Sequence, residues 1–338
     1  MSIKISICMP VYNGTQFLER AFRNLAKQTR RDFEVVMVDD GSRDGSYEDG
    51  MRLLKTHGLA GTVIRQYNRG PEQARDLACA NSVGEFLAPY DCDDEWGPSY
   101  LEEMAGVLDR HPEVGLVYCD FDEDFVVEKK VIRKSSVTPW IDRNVAATAT
   151  SAVHVFPHGS FFDLLVQGQV LFPPVTMMRR SLFESINGYC ASHPLMRISL
   201  DWCFGLRASR KTAVAYIDKA LVRKSRHGAN VSGNQITTSS SDVAVLAALL
   251  TDPTLTDSQR AHACRRASQR CKDVAYQEWS VNGNGRVARS WLRRSMRFHF
   301  SRRAAIMLVK TYIPTSLIGA LRQRRDPLAD TRQHRQTG

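Results

Sequence analysis

Apolar residues fall in short blocks along the first hundred positions, and each block stops at a cluster of turn-forming or acidic residues. Ile3–Met9 is largely apolar and β-branched and breaks at Pro10-Val11-Tyr12-Asn13-Gly14. Phe33–Val38 breaks at Asp39-Asp40-Gly41-Ser42, Val63–Tyr67 at Asn68-Arg69-Gly70-Pro71, and Phe86–Ala88 runs into Asp91-Cys92-Asp93-Asp94. Between blocks the spacing changes to threes and fours: Phe17, Leu18, Ala21, Phe22 and Leu25, then Met51, Leu53 and Leu54, then Ala74, Leu77 and Ala78. Apolar blocks of strand length alternating with helical spacing predict a parallel sheet with helices on both faces. In such a sheet ligands bind beyond the carboxyl ends of the strands, where all four polar clusters then fall.

The later chain carries weaker periods. Leu116–Cys119 predicts another strand, followed by an acidic stretch, Asp120–Asp124, read as structural or solvated, and a hairpin through Val126, Val127, Val131 and Ile132. Residues 139–169 follow no firm period and are expected to form an insertion. His154 and His158 are four apart, but Pro157 between them argues against a metal-binding helix. From Pro173 the pattern predicts a strand, a short helix and a glycine turn, and Ser199–Arg210 opens another helix. Thr237–Ser241 reads as a Ser/Thr-rich linker ahead of helices at Val243–Leu250 and Ser258–Val281. Arg286, Arg289, Arg293 and Arg297 then recur at helical spacing, with Ala288, Trp291 and Leu292 on another side, which predicts a basic amphipathic helix. The resulting division is an α/β domain over 1–236, its first half ending near 120, a basic helical extension over 242–325, and a disordered tail over 326–338.

Charge sharpens that division. Of 46 Lys and Arg against 36 Asp and Glu, residues 286–338 hold 13 and 2, so the net +10 belongs to the C-terminal part. Nucleic-acid binding by the whole domain is not supported, whereas a local anionic partner is. The basic segment has two open readings: peripheral contact with an anionic membrane, or a helix docked on the catalytic domain with its arginines in water. The eight cysteines form no C-x-x-C pair, which fits reduced thiols in a cytoplasmic protein. No signal peptide is legible, and no apolar run reaches the roughly 18 residues needed to span a bilayer. The expected location is the cytoplasm, at the inner face of the cell membrane if the basic segment binds lipid.

The Asp91-Cys92-Asp93-Asp94 run at a strand end can aim several carboxylates into one crevice. Mg²⁺ or Mn²⁺ suits such oxygen donors and completes its shell with water and phosphate. The first turn contains neither G-x-G-x-x-G nor G-x-x-x-x-G-K-[ST], which disfavours dinucleotide dehydrogenases and P-loop kinases.

PVYNG, VVMVDDGSRDGS, NRGPEQARDLA and GEFLAPYDCDDEWGPSYL, in this order over residues 3–105, resemble the donor-binding half of family 2 glycosyltransferases with the GT-A fold. The resemblance implies an α/β architecture with a mostly parallel nucleotide-binding sheet. It also implies a metal-dependent, inverting transfer from a nucleotide-diphosphate sugar, uridine favoured, to a hydroxyl of a glycan or lipid-linked acceptor. By the same resemblance Asp39 accepts a hydrogen bond from the donor base, with Pro10, Val11, Tyr12 and Arg75 around the nucleoside. Asn13, Asp40, Asn68, Gly70 and Cys92 are further donor-side candidates. Asp91 and Asp93 form the D-x-D pair, Asp93 the direct ligand of Mn²⁺ or Mg²⁺ and Asp91 nearer the ribose or donor sugar. Members commonly place an E-D pair at the later helix start. Here the pair is Leu200-Asp201, leaving Asp201 as the base that deprotonates the acceptor. LVRKSRHGANVSG resembles the segment where a histidine approaches metal or pyrophosphate, which points to His227 there and to Arg223 and Arg226 as phosphate contacts. Two competitors remain: a sugar-phosphate nucleotidyltransferase, for which no Gly-rich, Lys/Arg-bearing phosphate loop is found near the N-terminus, and a non-catalytic nucleotide-sugar binding protein.

Overall fold

The computed structural model describes residues 2–125, 130–133, 152–168, 171–189, 199–226 and 235–312. The chain divides into two compact units, residues 1–231 and 232–338.

The first unit opens with strand-helix repeats: β1 (Ile5–Val11), α1 (Thr15–Ala26), β2 (Phe33–Asp39), α2 (Ser46–Thr56), β3 (Gly61–Arg65), α3 (Pro71–Ala80) and β4 (Phe86–Pro89). These strands pair in parallel in the order β3-β2-β1-β4. Every residue of β1, β2 and β4 is buried, as near-continuous apolar runs require when helices cover both faces. β3 closes the sheet edge and is largely exposed. Phe22 and Leu25 of α1 are fully buried with Ile5, Ile7 and Met37. Truncating a side chain such as Phe22 in a core of this kind costs about 3–5 kcal/mol.

Beyond β4 the sheet becomes mixed. The two-residue β5 (Glu95–Trp96) precedes α4 (Tyr100–Arg110) and the long β6 (Val114–Phe125), whose tip pairs with β7 (Lys130–Arg133). β8 (Val153–Phe156) and α5 (Ser160–Gln167) follow, then a 3₁₀ turn at Pro173–Val175, β9 (Thr176–Arg179), α6 (Arg180–Ser185), α7 (Leu200–Ala208) and β10 (Ala213–Arg226). The sheet order continues β4-β9-β6-β10-β5. β10 runs parallel to β6, while β9 lies antiparallel to both β4 and β6. The chain enters β9 from the short 3₁₀ turn rather than from a crossover helix, and an antiparallel strand needs no crossover.

Two local expectations meet the structure: the first resolves to its structural alternative and the second holds. The acidic stretch Asp120–Asp124 is not a solvated loop but the continuation of β6, with Asp120 and Glu123 buried. His154 sits in β8 with its ring stacked at 6.0 Å on Tyr216, and His158 precedes α5, so the two do not share a helix. Val126, Val127 and residues 139–151 and 169 of the predicted insertion lie outside the described residues.

The second unit is helical: α8 (Gln235–Leu249), α9 (Asp257–Ser280), α10 (Gly285–Phe298) and α11 (Arg302–Lys310). Thr256 and Gln259 form a reciprocal capping box at the start of α9, and Asn284 and Ser301 cap α10 and α11 through their side chains. The Ser/Thr run at 237–241 lies inside α8 and is not a linker. Ser239 and Ser241 are buried there, and buried Asp242 pairs with Arg270 of α9 at 2.8 Å; small side chains let the helices approach and the ion pair fixes them. A small apolar cluster of Ala275, Ala288, Leu292 and Ala304 joins α9, α10 and α11. No helix among the described residues is long and apolar enough to cross a membrane. The segments at 317–321 and 326–338 lie outside the described residues.

Candidate active site

The loops after β1, β2 and β3 are tied to one another at the carboxyl edge of the sheet. Pro10 and Val11 are buried at the end of β1, and Tyr12 turns out to solvent at the mouth. Asn13, at a left-handed φ of 49°, is a joint: its N–H donates to Ser42 Oγ at 2.9 Å, and its Oδ1 accepts from the Arg43 N–H at 3.0 Å. The Gly14 N–H donates to Ser46 Oγ at 3.0 Å. At Gly41 (φ +79°) an added Cβ would stand 2.9 Å from the Asn68 backbone nitrogen, so only glycine lets the loops after β2 and β3 meet this closely.

Both aspartates after β2 are buried. Asp39 accepts from the Ser42 N–H at 3.1 Å and from Arg65 Nε at 2.9 Å. Arg65 in turn lies over the Tyr47 ring, 4.3 Å from its centroid. Asp40 Oδ1 accepts from Gln66 Nε2 at 2.6 Å and the Arg69 N–H at 2.8 Å, and its Oδ2 accepts from the Gly70 N–H at 2.8 Å. Asp40 thus shapes the loop that presents exposed Asn68 and half-buried Gly70, the latter at φ +101°.

The second corner lies between α3 and the loop after β4. Arg75 is only 3 % exposed. Its Nη2 donates to Asp91 Oδ1 at 2.9 Å, and the guanidinium lies 5.2 Å from the Tyr189 ring centroid. Burial lowers the Arg75 pKa, but Asp91, Tyr189 and Glu72 more than reverse that, so the cation is secured. Arg75 Nε and Nη1 are buried and meet no acceptor among the described residues. Buried N–H donors of this kind are costly to leave unmade, and an ordered water or a bound oxygen ligand satisfies them.

The D-x-D loop rests on a rigid underside. The Tyr90 hydroxyl donates to the Asp94 carbonyl at 2.9 Å, the Trp96 N–H donates to Asn24 Oδ1 at 3.0 Å, and Trp96 stacks on Tyr100 with ring centroids 4.0 Å apart. Asp91 and Asp93 are half-buried, and the Asp93 carbonyl accepts from Arg20 Nη2 at 2.7 Å. Asp94 is buried and its Oδ1 accepts from the Ser225 N–H of β10 at 2.9 Å. Burial first, then the charges of Asp93 and Asp91, pushes the Asp94 carboxyl well above the usual range. The same causes push the Cys92 thiol up, and its side chain packs against the core.

Three carboxyl groups therefore share one loop, the buried Asp94 held toward its neutral form and Asp91 and Asp93 half-buried. No group of three or more His, Cys, Asp or Glu among the described residues is gathered to hold a metal. The donor set fits Mg²⁺ or Mn²⁺ as a partial, two-carboxylate site that water and a ligand phosphate would complete.

Asp201 sits in the first turn of α7, after Ser199 at φ 66°. Its Oδ1 accepts from the Trp202 N–H at 2.8 Å. It lines a small cavity with Leu116, Leu171, Phe172, Thr176, Tyr189 and Phe204. Tyr189 therefore touches both parts of the site, bearing Arg75 above one face and lining the Asp201 cavity. Glu72, one turn before Arg75 on α3, is raised by burial and lies in the field of Arg75, Asp201 and Asp91.

The basic candidates on β10 divide. Arg223 is exposed, in register with Glu95. Arg226, expected as a phosphate contact, donates from its Nε to buried Glu123 Oε1 at 2.9 Å. His227 lies outside the described residues. Sequence reasoning missed Glu72, Tyr189 and Ser225. Only Glu72 carries a local signal, its i, i+3 spacing to Arg75.

Comparison with known proteins bears on the fold and the family. The glycosyltransferase alr2836 of Nostoc sp. is 34% identical over 116 residues, which is 34% of this chain and 36% of that protein. The alignments to the first curated relatives span about a third to a half of those proteins' own lengths. The crystal structure of S. aureus TarS 1-349 in complex with UDP-GlcNAc superposes with a TM-score of 0.64 at 17% identity, covering 92% of this chain and 88% of TarS. The mannosyltransferase PcManGT from Pyrobaculum calidifontis, in complex with GDP-Man and Mn²⁺, superposes with a TM-score of 0.56 at 18% identity, covering 98% and 88%. At such identities these likenesses speak for the fold. The glycosyl transferase family 2 model matches residues 6–205, more than half of the chain and every element that carries the strand-end loops and Asp201, and the protein belongs to that family.

Proposed function

We propose that the protein transfers a sugar from a nucleoside-diphosphate sugar, uridine favoured as the base, to a hydroxyl of a glycan or lipid-linked acceptor, with inversion at the anomeric carbon. The observation that carries this reading is the buried Arg75, paired with half-buried Asp91 and lying over Tyr189, whose side chain also lines the Asp201 cavity. Arg75 offers the N–H groups of Nε and Nη1, which meet no acceptor among the described residues, to anionic or hydroxyl oxygens of the donor. Asp201, held by the Trp202 N–H, takes the acceptor's proton while the acceptor oxygen bonds to the anomeric carbon and the bond to the diphosphate breaks. One displacement inverts the centre, and general-base help of this kind is worth roughly 10²–10⁴ in rate. Alignment of donor and acceptor supplies much of the remaining acceleration. Asp93 and Asp91 would hold Mn²⁺ or Mg²⁺, which neutralises charge on a departing diphosphate when bound. Uridine is favoured because TarS, which shares the fold, is known in complex with UDP-GlcNAc.

A panel of nucleoside-diphosphate sugars with a hydroxyl acceptor, run with Mn²⁺, Mg²⁺ or a chelator, tests the reading. Release of nucleoside diphosphate with transfer of the sugar, lost on chelation, is expected, and the product's anomeric configuration reports inversion. Pyrophosphate release instead would make the protein a nucleotidyltransferase, and binding without turnover would make it a binding module.

A further inference from the structure

The second unit carries a surface that the transfer reaction does not use. From residue 279 to 312 the chain has eight Lys and Arg and no Asp or Glu. Its last described helix, α11, turns Ala304 inward, with Met307 and Leu308 packed on the small apolar cluster. The opposite stripe, at i, i+4 and i+7, is Arg302, Ile306 and Val309, all exposed. Ile306 is 56 % and Val309 67 % exposed, and Phe300 and Tyr312 at the two ends of the helix are 67 % and 62 % exposed. Arg303 and Lys310 flank the stripe and are also exposed.

We infer that this face of α11, with Phe300 and Tyr312 at its ends, docks the protein on an anionic lipid bilayer. Charge alone would suit any polyanion. Four exposed large apolar side chains among the cations need an occupant with an apolar layer beneath a negatively charged surface, and a bilayer interface offers both within about 5–10 Å of depth. Aliphatic side chains on the outer stripe reach the acyl boundary while Arg302, Arg303 and Lys310 stay level with the headgroups. The helix is too short to span and lies in the plane of the interface. Each Lys or Arg held near an anionic leaflet strengthens the attachment by about fivefold, and salt weakens it within a Debye length.

Sedimentation of the full chain with phosphatidylcholine vesicles, with and without phosphatidylglycerol, tests the inference at low and high salt. The protein is expected to sediment with phosphatidylglycerol vesicles at low salt and to leave them at high salt. Arg302→Gln/Arg303→Gln should weaken partition roughly 25-fold. Ile306→Glu/Val309→Glu should abolish it without changing the thermal melt or nucleoside-diphosphate binding, since both positions are exposed. Absence of binding to phosphatidylglycerol vesicles at low salt overturns the inference, as does binding that survives Ile306→Glu/Val309→Glu. If those substitutions instead dissolve a concentration-dependent dimer seen by ultracentrifugation while lipid binding is absent, the face belongs to a second copy of the chain. None of these results depends on whether sugar transfer is observed.

Discussion

At one corner of the sheet edge, Asp39 and Asp40 are buried and accept hydrogen bonds from Ser42, Arg65, Gln66, Arg69 and Gly70. At the other, Asp91 is half-buried and accepts from Arg75, whose Nε and Nη1 meet no acceptor among the described residues. The residue types are the same and the strand ends equivalent, yet the first corner satisfies its buried charges within the protein and the second leaves donors for a ligand. A carboxylate saturated by backbone N–H groups fixes loop shape. An arginine that is buried, charged and only partly paired is a binding element, because its desolvation is offset fully only when something else arrives. The comparison predicts that substitutions in the first corner act on stability and those in the second on binding and turnover.

The largest effect is expected at the far end of the second corner. Asp201→Asn should lower turnover by about 10²–10⁴ with nucleoside-diphosphate affinity nearly unchanged, since the amide keeps the shape but cannot take a proton. Single-turnover kinetics beside calorimetric titration separate the two, and near-normal turnover would leave Asp201 as a helix-start residue favourably placed against the dipole. Arg75→Met should weaken nucleoside-diphosphate binding by roughly 10², because it removes the unmade donors and strands Asp91. Affinity that survives in a folded Arg75→Met protein would erase the distinction between the corners.

The first corner should answer differently. Asp40→Ala deprives Gln66, Arg69 and Gly70 of an acceptor and should destabilise the fold by about 2–4 kcal/mol, measured by denaturant unfolding, while the folded fraction keeps its turnover. Loss of turnover without loss of stability would make Asp40 part of the chemistry. The smallest effect belongs to Glu72, which burial raises above its ordinary pKa of 4.5. The native state then binds the proton more tightly than the unfolded chain. Its contribution is full below the unfolded pKa and is lost as pH rises through the folded one. Glu72→Gln should therefore match the wild type in acid and melt slightly higher at neutral pH, by on the order of 1–2 °C. A variant that melts lower at neutral pH would show that ionised Glu72 supports Arg75 more than burial opposes it.

What the sequence decided for itself was local and repetitive. Four apolar blocks closed by turn or acidic clusters are enough to specify β1 to β4, their order of helices and the edge on which ligands gather, since burial on both faces demands unbroken apolar strands. Asp91 and Asp93 were expected beyond a strand end and Asp201 at a helix start, and those are the positions they occupy. Other features needed the three-dimensional arrangement. Period and composition cannot show that β9 enters antiparallel between β4 and β6, because that depends on where the chain comes from and not on what the strand contains. The run at 237–241 reads as a linker by composition, yet it is helical because its small side chains pack and Asp242 pairs with Arg270 twenty-eight positions later. Arg226 looks like a phosphate contact beside a histidine until buried Glu123, more than a hundred residues earlier, claims it. Tyr189 has no signature of its own, and it joins Arg75 to the Asp201 cavity only because α3 and the segment after α6 are packed together. Side-chain pairing across long sequence separations is decided by which charges are left without water when the layers close, and no window along the chain contains both partners.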